Sequence, residues 1–399
     1  MPFDPAAFAS DLTALRRELN ASVGEADLRH FRKMERWGRA ASALGWATSW
    51  VAPNPISAAL IAVGSTTRWT IVAHHVSHRG LDRIPGGPRG ATFAKGARRF
   101  VDWFDWLDPE AWAYEHNAVH HSRTGENADP DLVERNMQRI READWPAAAK
   151  WAMVGFYACT WRLTYYAPNI WQVLRTKQHE RATGDVMEET LLSAFDPRTA
   201  SGRAFLKSIA PYALVRFVGA PAAFLPLGPW AATNVLLNSI FAEVLTNLYT
   251  FVLIAPNHAG DDIHRFEGPH RDRGEFYLRQ VLGSADYRGG SDVSDFLQGF
   301  LNYQIEHHLF PDLPPLKYRE AQPRVEAICK KHGVPYVRED IFKRVRKLLA
   351  VMVGDASMRR TSDARAWDRS AGKEPGRAAG QGEAISVVTA TVHQTSEST

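Results

Sequence analysis

Charged and apolar stretches alternate along the chain with sharp boundaries. Residues 1–36 are charge-rich, and Phe8, Leu12, Leu15 and Leu19 recur at helical spacing, which predicts a soluble amphipathic helix. Residues 38–73 are mostly apolar. Ala52-Pro53-Asn54-Pro55 interrupts them with a turn signal and divides them into a helical hairpin, 38–52 and 56–73. Residues 75–145 are polar, with a Gly-, Pro- and Arg-rich loop from Gly80 to Gly96. Residues 146–174 are apolar and aromatic but carry Lys150, Arg162 and Pro168-Asn169. Two longer apolar runs, 209–227 and 229–255, meet at Leu227-Gly228-Pro229. Residues 263–300 are polar again, and 318–352 read as soluble helices. From 355 the chain is rich in Arg, Ala, Gly, Ser and Thr and has too few large apolar residues to bury a core. The expected organisation is a soluble N-terminal helix over 1–36, a membrane domain over 37–336, a C-terminal helix over 337–354 and a disordered tail over 355–399.

A hydrocarbon core of about 30 Å needs about 20 helical residues to cross it. Both halves of the first hairpin are at or below that length, so thinning of the bilayer or snorkelling side chains is expected, with Arg68 as one candidate. Arg216 and Glu243 are the ionisable residues of the later runs. Charges inside spans are costly unless paired, and these two are read as partners. Trp103, Trp106 and Trp112 read as an interfacial belt, with an acyl channel as the alternative.

Composition narrows the classes. The 399 residues are 45% hydrophobic, yet the mean hydropathy is slightly negative, which fits few spans and a large polar body. The formal charge is +4 and the pI about 9.0. Lys and Arg are scattered, so a face toward anionic headgroups is expected and nucleic acid is not. Cys159 and Cys329 form no CxxC pair, which points to a reducing compartment. No basic segment followed by an apolar run opens the chain, so a cleaved signal is not expected.

The candidate chemistry lies in histidine. Nine of the 15 histidines fall in four places. His74 and His78 are four apart, with His75 between them. His116, His120 and His121 lie within six residues. Gln304, His307 and His308 form a third cluster, and His258 stands alone in Pro256-Asn257-His258. On an α-helix, His116 and His120 face one side and His121 lies about a quarter turn away. Neutral imidazole binds iron, zinc, copper or nickel. Asp129 and Asp131 follow the second cluster, either to orient ligand rings or to cap a turn. His264 and His270 lie in a charged loop and are not counted as ligands.

Three such boxes around apolar hairpins resemble the membrane fatty acid desaturases and their hydroxylase relatives. The most specific piece is Gln304-Ile305-Glu306-His307-His308, whose leading Gln is similar to front-end acyl desaturases. The resemblance spans Trp37 to Tyr336. No HPGG haem motif is found, so unlike many front-end members the chain has no cytochrome b5 domain. The resemblance implies an O₂-dependent desaturase with two irons held by His74, His78, His116, His120, His121, His258, His307 and His308. His258 enters because the family often uses an isolated His or Asn after the second hairpin. Asn257 and Gln304 would hold water or support ligands, and His75 is an extra histidine beside the first box, outside the proposed set. The implied partners are a lipid or acyl-chain substrate, the membrane, and an external electron donor such as ferredoxin or cytochrome b5.

If all boxes meet at one centre, an even number of spans separates the second box from the third. Residues 146–174, with two charges, are therefore expected to lie in the interface. The expected fold is all-α, with four transmembrane helices in two hairpins and a cytoplasmic helical cap that holds the histidines. Arg and Lys in the loops place the catalytic face and both termini in the cytoplasm. A hydroxylase, or a desaturase of a sphingoid base or small metabolite, would use the same centre. A non-catalytic metal-binding membrane protein is the other class. Transporters hold ions near the midplane, whereas these clusters flank the apolar segments.

Overall fold

Pro53, Asn54 and Pro55 turn the chain between helices Glu25–Thr48 and Pro55–Thr66 in the computed structural model, which describes residues 3–185 and 191–361. The Asn54 side chain accepts from the Ser57 amide at 2.7 Å and caps the second helix, while Pro55 occupies its first turn, where a missing N–H costs nothing. Asn238, from helix Pro229–Ile254, holds the turn. Its amide donates to the Ser49 and Ala52 carbonyls at 2.7 and 2.8 Å and accepts from the Asn54 amide at 2.9 Å. The two hairpin helices meet through small residues. A Cβ on Gly64 would lie 2.9 Å from the Gly38 carbonyl oxygen, the close approach that helices in lipid favour.

Among the described residues three helical runs are long and apolar enough to cross a membrane: Pro55–Ser77, Ala200–Leu227 and Pro229–Asn257. The expected first span, 38–52, belongs to the longer helix Glu25–Thr48. With no proline between Gly24 and Ser49, this helix runs through the expected boundary at 36. Residues 147–183 are helical in three consecutive pieces, Ala147–Trp161, Arg162–Tyr166 and Ala167–Thr183, and are not among the long apolar runs. The strands are two short parallel pairs, His264–Phe266 with Arg359–Thr361 and Asp286–Tyr287 with Arg338–Glu339. The first pair moves the expected start of the tail: residues up to Thr361 are tied into the body, and 362–399 lie outside the described residues.

Above the apolar helices sits a cap. Phe8, Leu12, Leu15 and Leu19 of helix Pro5–Ala21 are buried, as their spacing requires, and join a core with Phe31, Tyr277, Leu309 and Tyr318. Asp4 caps this helix by accepting from the Ala6 and Ala7 amides. Arg16–Asp312 at 2.8 Å and Lys331–Asp11 at 2.7 Å fasten it to the later segments.

A second core contains Trp69, Trp103, Trp106, Trp112 and Tyr212. The expected tryptophan belt does not form. Trp103, Trp106 and Trp112 are buried inside the protein, because Trp106 donates to Glu243 at 2.7 Å and Trp112 stacks on His116. The expected Arg216–Glu243 pair is likewise replaced. Glu243 accepts from Arg162 Nη1 at 2.8 Å and from Tyr212 at 3.1 Å, and Arg162 also binds Asp105. The Arg162 amide donates to Asn247 at 2.9 Å. Arg162 therefore ties the loop before the second histidine box to two helices.

Removing one member of a buried ion network leaves the remaining charges without compensation. Arg162→Met is expected to destabilise the protein by about 3–5 kcal/mol, read as a lower thermal midpoint in detergent. Arg162→Lys, which keeps the charge but loses the two-sided fork, should fall between.

Candidate metal centre

Each histidine is delivered by a helix whose local pitch matters. The chain runs from Pro55–Thr66 through a π-helical stretch, Thr67–Ala73, into His74–Ser77. A second π-helical stretch, Tyr114–His120, carries His116. Here the His121 amide bonds to the His116 carbonyl, five residues back. His116 and His120 stack with ring centroids 5.4 Å apart, as their spacing predicts, and the wider turn brings His121 to His116 as well, with their Nε2 atoms 3.3 Å apart, while His120 also meets His258 and His308.

The eight expected ligand histidines are gathered into two groups. His74, His78, His116, His121 and His307 form one, and His120, His258 and His308 the other; within each group the ring nitrogens lie within 4.8 Å of one another. His74 Nε2 lies 2.9 Å from His307 Nε2 and 3.0 Å from His116 Nε2. Neighbouring nitrogens bound to one cation at about 2.1 Å sit about 3 Å apart, so these separations fit a shared ion. His78 Nε2, His121 Nδ1 and His308 Nε2 are buried and have no hydrogen-bond partner. Leaving such an atom unpaired costs roughly 1–3 kcal/mol, and a metal ion would remove that cost. Asp131 lies within the same reach of His116 and His120.

Burial keeps these rings neutral, the form that binds metal. It pushes His78 and His258 down to about 3 and holds His116, His121, His307 and His308 well below the usual range. His120 is the exception. Burial lowers it, but the Asp129 carboxylate at 2.9 Å outweighs burial and raises it. Asp129 also accepts from the Gly125 and Asp131 amides, so it orients the ring and shapes the turn at once. Burial raises Glu115 and Asp131 beside it, Asp131 to about 6.

The far nitrogens are fixed by groups outside the boxes. His307 Nδ1 donates to the Tyr318 hydroxyl at 3.2 Å, and that hydroxyl donates to the Pro311 carbonyl. His308 Nδ1 lies 2.9 Å from Gln280 Oε1, and His258 Nδ1 lies 3.2 Å from the Gly283 carbonyl. Gln304 stands 2.9 Å from His258 Nε2, with its oxygen accepting from Asn257 at 3.1 Å. Sequence reasoning missed Gln280 and Tyr318. Gln280 sits in a polar stretch with no motif around it, and Tyr318 belongs to a helix beyond the third box. His75 bonds the Ile71 carbonyl at 2.8 Å and joins neither group. His264 bonds Thr361 at 2.8 Å in the first strand pair and His270 lies near Glu126, both apart from the cluster.

Comparison with known proteins agrees with this arrangement. The family model described as fatty acid desaturase matches residues 44–339. The chain is 26% identical over 386 residues to the NADPH-dependent stearoyl-CoA 9-desaturase of Mycobacterium tuberculosis, covering 89% of this chain and 82% of that one. It is 25% identical to Delta(5) fatty acid desaturase A of Dictyostelium discoideum, over 66% of this chain and 54% of that one. It is also 25% identical to the chloroplastic acyl-lipid (7-3)-desaturase of Chlamydomonas reinhardtii, over 77% of this chain and 58% of that one. Because the family match includes all three histidine boxes and His258, the chain belongs to the fatty acid desaturase family.

Proposed function

We propose that this oxidoreductase introduces a carbon–carbon double bond into the acyl chain of a lipid, at a centre of two irons ligated by His74, His78, His116, His120, His121, His258, His307 and His308. The observation that carries the reading is the pair of buried imidazole groups whose orphaned nitrogens converge. Side chains alone cannot oxidise an unactivated C–H bond, and the irons supply the O₂ chemistry that can. The overall change removes two hydrogens from adjacent carbons and reduces O₂ to two waters. It takes two further electrons from an external donor such as ferredoxin or cytochrome b5, and two protons from solvent. The protein's own part is to hold eight rings in place and keep bulk water away. Asp129, Gln280, Tyr318 and the Gly283 carbonyl fix ring direction, and helix Pro5–Ala21 covers the cap core.

Expression in a host lacking desaturases, followed by mass spectrometry of total lipid, should show new double bonds that depend on O₂ and a reductant. New hydroxyl groups without double bonds would move the activity to hydroxylation. No oxidised product from an iron-loaded protein with a competent donor would overturn the enzymatic reading.

Metal analysis of purified protein should approach two irons per chain. His120→Ala and His258→Ala should each lose iron and nearly all activity, whereas His75→Ala and His264→Ala should leave both close to wild type. Asp129→Asn should cost about 10–100-fold in metal affinity or activity. One tightly held zinc, or full activity in His258→Ala, would sink this ligand set.

We further infer four spans, with Glu25–Thr48 crossing beside Pro55–Ser77, and with both termini and the centre on the cytoplasmic side. On a background with Cys159 and Cys329 replaced by Ser, Lys95→Cys, Asp185→Cys and Arg288→Cys should all be labelled from that side. Opposite sides for the first two would mean that 147–183 crosses the bilayer.

A further inference from the structure

A cleft of about 480 Å³ opens between Glu25–Thr48, Pro55–Ser77 and Ala200–Leu227, and no histidine lines it. Two of its three walls are helices long and apolar enough to span a membrane. Arg216 lines it, is 7% exposed, and has buried Nε and Nη2 atoms without a hydrogen-bond partner. Among the described residues no carboxylate pairs with it. The acids of the cleft are already committed. Glu35 accepts from Arg39 at 2.8 Å and Arg68 at 3.3 Å, and Asp105 is held by Arg162. Glu243, its expected partner, is occupied by Arg162, Trp106 and Tyr212.

What Arg216 does have is an aromatic face. Its guanidinium carbon lies over the Trp46 ring at 5.0 Å. Such stacking offsets part of the cost of a buried cation and leaves the in-plane N–H donors free. A planar fork of donors fits two oxygens of one carboxylate or phosphate. The backbone adds a second sign. Arg216 lies in a π-helical turn, Val215–Gly219, of the kind that recurs at functional positions. Beside it Leu214, Val215 and Val218 are exposed, an apolar strip that suits a hydrocarbon tail.

We propose that this cleft binds an anionic amphiphile, with its oxyanion head on Arg216 and its tail along the Leu214–Val218 face. The site is separate from the histidine centre and goes beyond the desaturase reading. An unpaired cation at this depth is otherwise a standing cost, and a bound carboxylate or phosphate removes it.

The test uses the full chain in neutral detergent, titrated with oleate, dioleoylphosphatidylglycerol or the uncharged monoolein, and read by thermal midpoint and binding isotherm. At least one anionic amphiphile should raise the midpoint saturably, and monoolein should not. A preference for oleate identifies a carboxylate head, and a preference for phosphatidylglycerol a phosphate. Arg216→Gln should weaken the anion by at least about tenfold, the loss of one charge-assisted contact, and Arg216→Lys should recover part of it. Iron content is measured in the same samples, so a lost lipid effect with retained iron separates this site from the centre. If Arg216→Gln does not fold, Ala220→Phe, which fills the cleft and keeps the charge, should block binding. Equal binding of monoolein, or full anion affinity in Arg216→Gln or Ala220→Phe, would overturn the proposal.

Discussion

Eight buried imidazoles turned inward on one another are the constraint on which the rest of this molecule depends. His74 Nε2 and His307 Nε2 lie 2.9 Å apart, and donation by their Nδ1 atoms to the Thr70 carbonyl and the Tyr318 hydroxyl leaves two acceptors face to face, which is unfavourable by itself. Several rings are held from behind in this way: Asp129 holds His120, Tyr318 holds His307, and Gln280 holds His308. Two π-helical stretches set the rotation of the boxes, and the cap covers them. The result is a site prepared for cations before any arrive, which is what a metal centre embedded in a chain of ordinary residues requires.

The same economy governs the charges among the apolar helices. Arg162 is fully buried, its guanidinium held by the Asp105 and Glu243 carboxylates and its backbone amide donating to the Asn247 side-chain oxygen. It locks residues 147–183, the loop of Asp105 and helix Pro229–Ile254 into one frame, and the second histidine box leads out of that frame. Arg216 lies against the Trp46 ring, and among the described residues no carboxylate pairs with it. The contrast separates a cation that builds the scaffold from one left available to something outside it.

Local pattern made much of this legible in the sequence. Phe8, Leu12, Leu15 and Leu19 announced a one-sided helix because burial on one face demands that period. Pro53-Asn54-Pro55 announced the hairpin because proline fixes the backbone and asparagine caps a helix. The histidine boxes were visible because nine of the 15 histidines crowd into four short places, a density that ordinary surface histidines do not show. Tertiary structure alone decided the rest. That His121 joins His120 beside His116 depends on a π-helical turn, which no residue spacing encodes. Glu243 chose Arg162 over Arg216 because helices distant in sequence brought Arg162 to it first. Trp106 and Trp112 went inward rather than to a lipid interface because an acid and a histidine ring waited there. Gln280 and Tyr318 support the site from segments with no motif, since a hydrogen bond needs only proximity. Sequence fixes what local periodicity and ligand chemistry dictate; partners chosen across long separations exist only once the helices have packed.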